Sequence, residues 1–452
     1  MDCYTKNTSN FLARTIFILI IMVIIPFRSL YSQGYVDAYE PFWYLKGTGA
    51  QATSLSYNTT AHSTGINDIV SNPALLGEAE KFKGSISLLA DNFHQNARLG
   101  SSSNSFNHEN SNISGLDNIG LVYPVAVYRG SFVLGLSYTN RAIYNYVSRS
   151  STREYNYDYG YGYLTEDIEE SGRLHSLNLG GALEIDKNFF VGLSLHLYNG
   201  YRDYHFTGKD EDKKDQYSNE YYDDLIIEEN IETDYSGWNF SIGTLYKGGN
   251  FKWGLQLKSP MTLNAKENSV IDTSMIWSDG FRFDTTLTFK GIEYETSFPL
   301  QISTGIAFDI GNITMAMDLA IKNWNDINFN SDLEDVQGNS IDNKVEDDIG
   351  SYLTKTTNYG LSLIIPLNYQ SNINAGFRSI GKPNEDLDNK YARLRLYSIG
   401  LDYDINDNFM LGISYQLADG NNNISQYFDT QKEENYRNHR LTISTDIIFG
   451  KN

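Results

Sequence analysis

Apolar and polar residues alternate along much of this chain. In the segment 189–198, "FFVGLSLHLY", every second residue is apolar, and the residues between them are aromatic, small or polar. The segments 312–322, 408–417 and 441–449 follow the same rule. A period of two over about ten residues predicts β-strands with one apolar face and one more polar face. We therefore expect an all-β protein.

The connections between these segments are of two kinds. Short turns at 128–130, 186–187, 247–250, 310–311, 367–370 and 406–407 separate long polar connections, notably 147–171, 207–233, 330–350 and 420–435. Short turns on one side and long loops on the other are typical of bacterial outer-membrane barrels, whereas a soluble β-sandwich, the alternative, does not sort its loops in this way.

The chain is thus predicted to be a transmembrane β-barrel of about 14 antiparallel strands in the bacterial outer membrane, with its apolar parity facing lipid. The predicted strands are 84–94, 116–127, 131–146, 172–185, 188–206, 234–247, 250–268, 283–309, 312–329, 351–367, 370–380, 391–405, 408–419 and 436–449.

The first residues have the pattern of a targeting signal. Basic residues precede an apolar run at 15–27, and small polar residues follow it. This order predicts a secretory signal peptide over 1–32. A membrane anchor is the alternative, but the run is shorter than the roughly 20 residues of a spanning helix. The remaining chain divides into an N-terminal plug or hatch segment, 33–83, and a barrel, 84–452.

Composition narrows the function. The 452 residues carry a formal net charge of −21, and such an acidic chain is a poor nucleic-acid binder. The only cysteine, Cys3, lies in the leader, so we expect no disulfide and no thiolate site. The seven histidines lack metal-site spacing, and neighbouring His175 and Ser176 would face opposite sides of a strand. We expect no enzyme activity, cofactor or metal.

Two acidic runs, at 209–234 and 331–350, fall in the long connections. Clustered carboxylates are calcium ligands, but neither run has the twelve-residue spacing of a calcium loop. We interpret them as solvated loop tips at the cell surface.

Four places resemble the FadL/TodX family of outer-membrane transport proteins. They are 47–77, which contains "SNPALLG", 253–266, "WGLQLKSPMTLNAK", 298–328, with its Pro, Gly, Asp and Trp spacing, and the final strand, which closes the barrel in the expected place. The resemblance implies a fourteen-stranded barrel with a hatch in the lumen, which carries long-chain fatty acids and other hydrophobic compounds. The chain departs from the family pattern where Ser and Thr replace the usual run of glycines and alanines before the Asn-Pro-Ala motif, and where Leu75 stands in place of the glycine that many relatives have.

The hatch motif supplies the first site candidates, Asn72, Pro73, Ala74 and Leu75. Pro73 fixes its own φ and favours an extended Asn72, whose side chain can bond nearby backbone. The functional interpretation is that this motif holds a gate. The alternative is a structural turn between plug and barrel.

The inward parity supplies the second set, the lumen candidates Phe190, Ser194, His196, Tyr198 and Asp318. They are interpreted as the lining of a path. The alternative is that any barrel lumen is polar and wet.

Together these features predict hatch-gated transport of hydrophobic small molecules such as long-chain fatty acids. The alternatives are a barrel that anchors a secretion or surface-attachment system, and a general porin. The expected partners are the hydrophobic substrate, outer-membrane lipid and lipopolysaccharide, and the barrel assembly machinery, with no nucleic acid.

Overall fold

The computed structural model describes Tyr39, Phe42 and residues 44–99, 107–156, 160–213, 222–331, 333, 340–383, 393–422 and 432–449. The predicted signal peptide, 1–32, lies outside these residues, and so do parts of the long connections. The division into three domains therefore stays a prediction.

One antiparallel sheet of strand segments closes on itself, because β1 pairs with β17. β7 and β8 both pair with β6 and are two halves of one barrel strand; β9 with β10, and β11 with β12, form the next two. The barrel thus has fourteen strands, and the predicted fold class is confirmed. The segments are β1 Phe82–Leu99, β2 Asn107–Val125, β3 Phe132–Asn156, β4 Gly160–Asp186, β5 Phe189–Glu211, β6 Asp224–Gly248, β7 Phe251–Lys258, β8 Met261–Ile276, β9 Arg282–Phe298, β10 Gln301–Ile310, β11 Ile313–Asn323, β12 Asn328–Ser331, β13 Lys355–Asn368, β14 Ser371–Gly381, β15 Arg393–Asn406, β16 Phe409–Asn422 and β17 Lys432–Phe449.

The outer surface carries an apolar belt. On β5, Leu193 and Leu197 are exposed, whereas Ser194 and His196 are buried. Exposed aromatic side chains border the belt, such as Phe449 near the turns and Trp238 toward the loops. An apolar belt between aromatic girdles on a closed barrel is the architecture of outer-membrane proteins, so the predicted location is confirmed. None of the described helices has the length and hydropathy needed to cross a membrane.

An N-terminal segment, residues 44–79, lies inside the barrel and is called the plug here. It contains two short helices, α1 Ala50–Ser54 and α2 Asp68–Ser71, and 3₁₀ turns at Gly65–Asn67 and Pro73–Glu78. About two thirds of its residues are buried against inward-facing residues of the wall, and the others are partly buried. β1 then begins at Phe82, two residues before the predicted start.

One of the predicted long connections, 147–171, is largely strand. β3 continues to Asn156 and β4 begins at Gly160, so most of 147–171 belongs to the wall. Above the belt the outward residues are charged, and Arg149 lies 3.7 Å from Asp167 and 3.5 Å from Glu169 on the paired strand. The apolar alternation therefore ends where the strands leave the lipid, although the hydrogen-bond ladder continues.

The connection 330–350 was also predicted as a loop, but it contains a helix, α3 Asp342–Tyr352. Val345 and Ile349 of this helix pack with Trp324 and Phe329. The helix covers the wall beside β12, which pairs with β9.

Three neighbouring barrel strands, predicted as continuous, are broken at the same level. The breaks fall at Ser259–Pro260, Pro299–Leu300 and Trp324–Ile327. Proline has no amide proton for a ladder, which accounts for the first two breaks. Each break also changes which positions of the strand face the lumen. Before the first break the even-numbered Gln256 faces the lumen, and after it the odd-numbered Met261 and Leu263 do. This shift is that of an inserted residue, as in a β-bulge.

Candidate functional site

The plug is seated in a ring of inward-facing glycines, one on each of ten barrel strands. A Cβ built on any of them would press on plug atoms at 3.1 Å or less. Well-packed interiors do not absorb such overlap without movement, so these glycines set the space into which the plug fits. They are Gly135, Gly180, Gly192, Gly243, Gly254, Gly305, Gly360, Gly376, Gly400 and Gly412.

The hatch motif lies against this ring. Asn72 is extended, with φ −158°, and caps the following 3₁₀ turn by accepting a hydrogen bond from the Ala74 amide at 3.1 Å. Its Nδ2 donates to the carbonyl of Thr60 at 2.8 Å and to that of Thr244 on β6 at 3.1 Å. Asn72 therefore fastens two parts of the plug to the wall.

One face of the plug is apolar. Leu75 and Ala74 pack with Phe190 of β5 and Leu245 of β6, which brings hatch and lumen candidates together. Beside them, the plug residues Ile66, Ile69 and Leu76 pack with the wall residues Val122, Val133 and Ala182. This face is directed at β2 through β6.

The opposite face is polar. The Arg440 guanidinium donates two hydrogen bonds of 2.7 Å to Asp91 and one of 3.1 Å to the Tyr57 hydroxyl. The Lys46 ammonium lies 3.0 Å from Asp117, and burial lowers the pKa of Lys46 to about 8. Further hydrogen bonds join Ala50 to Ser444, Ser56 to Ser398 and Asn58 to Phe377.

Three of the lumen candidates, Asp318, Ser194 and His196, form hydrogen bonds with the plug or within the wall. Asp318 accepts hydrogen bonds from the amide of Thr60 at 3.0 Å and from its hydroxyl at 2.7 Å. The His196 ring lies 3.1 Å from the Ser194 hydroxyl and 2.8 Å from Asn178 Oδ1. Ser, His and Asn in this order resemble a hydrolytic triad, but Ser194 is buried, its hydroxyl also lies 2.7 Å from that of Ser241, and it lines neither of the two cavities described below.

A cavity of about 140 Å³ lies on the loop side of the plug. Phe42, Tyr44, Tyr57, Tyr198 and Trp324 supply aromatic surface, and Tyr198 is the only lumen candidate that lines it. Its described lining contains four basic side chains and no acidic one, although the chain has 56 acidic and 35 basic residues. The basic residues are Arg141, Lys258, Lys322 and Arg378.

Arg141 is the most informative of these residues. It is only 2% exposed, and its Nε and Nη1 atoms have no hydrogen-bond partner among the described residues. A buried guanidinium with two unpartnered nitrogens is costly, because its desolvation is not fully offset by hydrogen bonds. The cavity therefore has the chemistry of an anion site with aromatic walls.

A second cavity, of about 20 Å³, lies on the turn side of the plug. Asp402 and Asp446 line it, and Lys83 lies 3.1 Å from Asp446. The volume suits about one water molecule. Asn67 lies between the two cavities and lines both of them. Its side-chain oxygen accepts a hydrogen bond from the Thr48 amide at 3.0 Å.

Sequence reasoning missed the basic residues of the larger cavity. Each is a basic residue at an inward-facing position of a strand whose other inward-facing residues are mostly small or polar, and this exception can be seen in the sequence. Lys258 also directly precedes Ser259 and Pro260, where the strand breaks. Alternation alone does not show that four such residues from four strands converge. In the described part of the chain, no group of three or more His, Cys, Asp or Glu side chains is placed to hold a metal.

The fold is similar to those of several solved structures. The chain superimposes on the toluene transporter TodX of P. putida with a TM-score of 0.61 and 13% identity, covering 90% of this chain and 100% of TodX. The chain has the FadL/TodX fold. A FadL homologue of Pseudomonas aeruginosa gives a TM-score of 0.59 at 10% identity, with coverage of 90% and 100%. The monoaromatic hydrocarbon channel CymD gives 0.54 at 13%, with coverage of 90% and 99%.

Neither a protein-family model nor a curated protein matches the sequence. At identities of 10–14% the likeness to the solved structures shows the fold, and the predicted resemblance to the FadL/TodX family is confirmed at that level.

Proposed function

We propose that this barrel transports amphipathic molecules with an anionic head group, such as long-chain fatty acids, across the outer membrane. The observation that carries the proposal is the cavity in which Arg141, Lys258, Lys322 and Arg378 meet aromatic side chains. A carboxylate would give the buried Arg141 guanidinium its missing acceptor, and charge-assisted bonds of this kind are among the stronger ones in proteins.

The fold supports transport of hydrophobic cargo in general. TodX is a toluene transporter and CymD is a monoaromatic hydrocarbon channel, and both share this barrel. Neither toluene nor another uncharged hydrocarbon requires basic residues in its binding cavity. The basic cluster therefore favours an acid over a hydrocarbon for the present chain.

A general porin is less well supported. Porins contain an open aqueous channel. Here the plug fills the barrel between the two cavities and is packed against ten strands of the wall.

Uptake by whole cells tests the proposal. Cells that carry the protein should take up radiolabelled oleate faster than cells without it, and faster than they take up oleyl alcohol of the same chain length. Arg141→Gln should weaken oleate binding by a factor of about ten to a hundred, since hydrogen bonds to charged groups contribute about 1.5–3 kcal/mol.

Arg395→Gln is the matched control, because Arg395 is exposed on the outer face of β15. It should leave oleate uptake unchanged. Equal uptake of oleate by the wild type and by the Arg141→Gln variant would contradict the proposed role of the basic cavity.

A further inference from the structure

The small cavity on the turn side of the plug is bordered by four oxygen-bearing side chains from four different parts of the chain. They are Thr48 of the plug, Asn118 on β2, Asp402 on β15 and Asp446 on β17, called the oxygen cluster here. All four residues are buried, with exposed fractions of 1–7%. The cavity therefore lies at a junction between the plug and three strands of the wall.

Two oxygens of this cluster lack a partner. Asn118 Oδ1 and Thr48 Oγ1 make no hydrogen bond to any residue that the structure describes. Thr48 is only 1% exposed and Asn118 only 2%, so bulk water does not replace the missing partner. Buried oxygens of this kind are normally satisfied by a bound water molecule or an ion when the protein itself supplies no donor.

The Asp402 carboxylate is held so that one of its oxygens points into the same space. Asp402 Oδ2 accepts a hydrogen bond of 2.6 Å from Asn374 Nδ2. Asp402 Oδ1 lies over Gly412, 3.2 Å from the position that a Cβ would take there, and Gly412 also lines the cavity. Gly412 pairs with Asp402 on one side and with Ser444 on the other. The missing side chain at Gly412 thus leaves room for a ligand beside Asp402.

The cavity has an excess of negative charge. Lys83 Nζ lies 3.1 Å from Asp446 Oδ2, but Lys83 is outside the cavity lining, and its side chain is 24% exposed. One ammonium neutralises one carboxylate, so the charges of Asp402 and Asp446 together are only half compensated. A buried negative charge is stabilised by a cation, whereas a water molecule leaves it uncompensated.

The donor atoms and the volume favour calcium over other cations. Carboxylate, amide and hydroxyl oxygens are ligands of hard cations, whereas copper and zinc sites use nitrogen and sulfur. Magnesium keeps several water molecules when it binds to proteins, and a cavity of about 20 Å³ has no room for them. Calcium exchanges its water for protein oxygens in flexible geometries, which suits two carboxylates and two neutral oxygens.

We propose that the turn-side cavity binds a calcium ion through the four side chains of the oxygen cluster. The ion joins Thr48 of the plug to strands β2, β15 and β17, and so fastens the polar face of the plug to the wall. This site is separate from the basic cavity, and its existence does not depend on the proposed transport function.

Hydrogen exchange tests the site where it lies. Purified full-length protein is stripped of divalent ions and titrated with calcium chloride. The amides of residues 48–52 should become protected with a Kd of about 10⁻⁴–10⁻³ M, the range of extracellular calcium modules. They should exchange about tenfold more slowly once calcium is about tenfold above the Kd. Magnesium at the same concentration should protect them less.

A pair of Asp→Asn substitutions separates the site from general electrostatics. Asp446→Asn removes a charged ligand and should raise the Kd about tenfold or more, because the number of charged ligands sets calcium affinity. Asp404→Asn removes the same charge from an exposed position two residues beyond Asp402. It should leave the Kd nearly unchanged, because an exposed charge is screened by water and salt.

Thr48→Val provides a test that loss of structure does not imitate. Valine keeps the shape of the side chain, and Thr48 Oγ1 has no partner in the described structure to lose. The variant should therefore be as stable as the wild type without calcium, while its Kd rises about three- to tenfold. Wild-type amides that calcium does not protect would mean that the cavity holds only water. An equal Kd in the wild type, Asp446→Asn and Thr48→Val would place the calcium elsewhere, and either result would overturn the proposal.

Discussion

The two faces of the plug are held by different physical forces. Toward β2 through β6, side chains such as Leu75, Leu76 and Ile69 are buried against apolar wall residues. Toward β13 through β17 and β1, the plug is held by hydrogen bonds, one of which is donated by Arg440 to the Tyr57 hydroxyl. The Lys46 ammonium adds an ion pair with Asp117 at the adjoining strand, β2. Apolar contacts have no favourable substitute in water, whereas polar groups exchange protein partners for water at small net cost. We therefore expect the plug to loosen first on its polar face.

Removal of one charge from the wall beside the polar face should have the largest effect. Asp91→Asn leaves the buried Arg440 guanidinium without its counter-charge, so the free energy of unfolding should fall by about 3–5 kcal/mol. The double variant Asp91→Asn/Arg440→Gln removes both charges and should recover most of this loss. Urea unfolding of the full-length protein in vesicles measures both. A double variant as unstable as the single one would contradict the assignment of the cost to an uncompensated charge.

Truncation on the apolar face should have the next largest effect. Leu75 is fully buried, and Leu75→Ala should lower the free energy of unfolding by about 3 kcal/mol through lost burial and the cavity left behind. Leu193→Ala, which removes the same atoms from the lipid-facing belt, is the control and should cost less. If both variants unfold at the same urea concentration, the apolar face does not hold the plug as described.

Overpacking of the glycine ring should have a smaller effect. A Cβ at Gly192 meets the backbone of Pro73 and Ala74, so Gly192→Ala should cost about 1–3 kcal/mol and displace the hatch motif. Gly181→Ala is the control, because there the nearest atoms are 3.4 Å away. Ion conductance in a planar bilayer should rise for Gly192→Ala only. Unchanged conductance in both variants would mean that the plug tolerates the shift without opening.

Protonation of Asp68 should have the smallest of the predicted effects, which is a change in how well the plug amides are protected from hydrogen exchange. Burial raises the pKa of the Asp68 carboxyl to about 7. The charge of Glu78 adds to this increase, whereas the hydrogen bonds from Ser63 and Thr64 and the charge of Lys83 oppose it. In the unfolded chain the group titrates near pH 4. Its stabilising contribution is therefore complete below about pH 4 and is lost as the pH rises to about 7.

Hydrogen exchange measures this effect. After correction for intrinsic rates, amides of residues 66–76 should exchange up to about tenfold faster at pH 8 than at pH 6. Asp68→Asn should remove the difference. Slower corrected exchange at pH 8 in the wild type would contradict the assignment.

Much of the barrel was predictable from alternation alone. Segments such as 189–198 alternate because each strand faces lipid on one side and the lumen on the other, and this holds for all fourteen strands. The signal weakens above the membrane, where Arg149 and Glu169 replace apolar residues on the outer face. The helix α3 and the full lengths of β3 and β4 were missed for that reason.

The candidate site was less predictable. Alternation places Lys258 and Lys322 on inward faces, but it does not show that they meet Arg141 from a distant strand, because register is set by tertiary pairing. Pro260 and Pro299 were visible as ladder breakers. That their breaks coincide with the one at Trp324 follows only from the observed register.

A structure of the full-length protein with bound oleate tests the central claim most directly. We predict the carboxylate within about 3 Å of the Arg141 guanidinium, the distance of a charge-assisted hydrogen bond. An empty basic cavity, or a carboxylate held elsewhere in the lumen, would contradict the account.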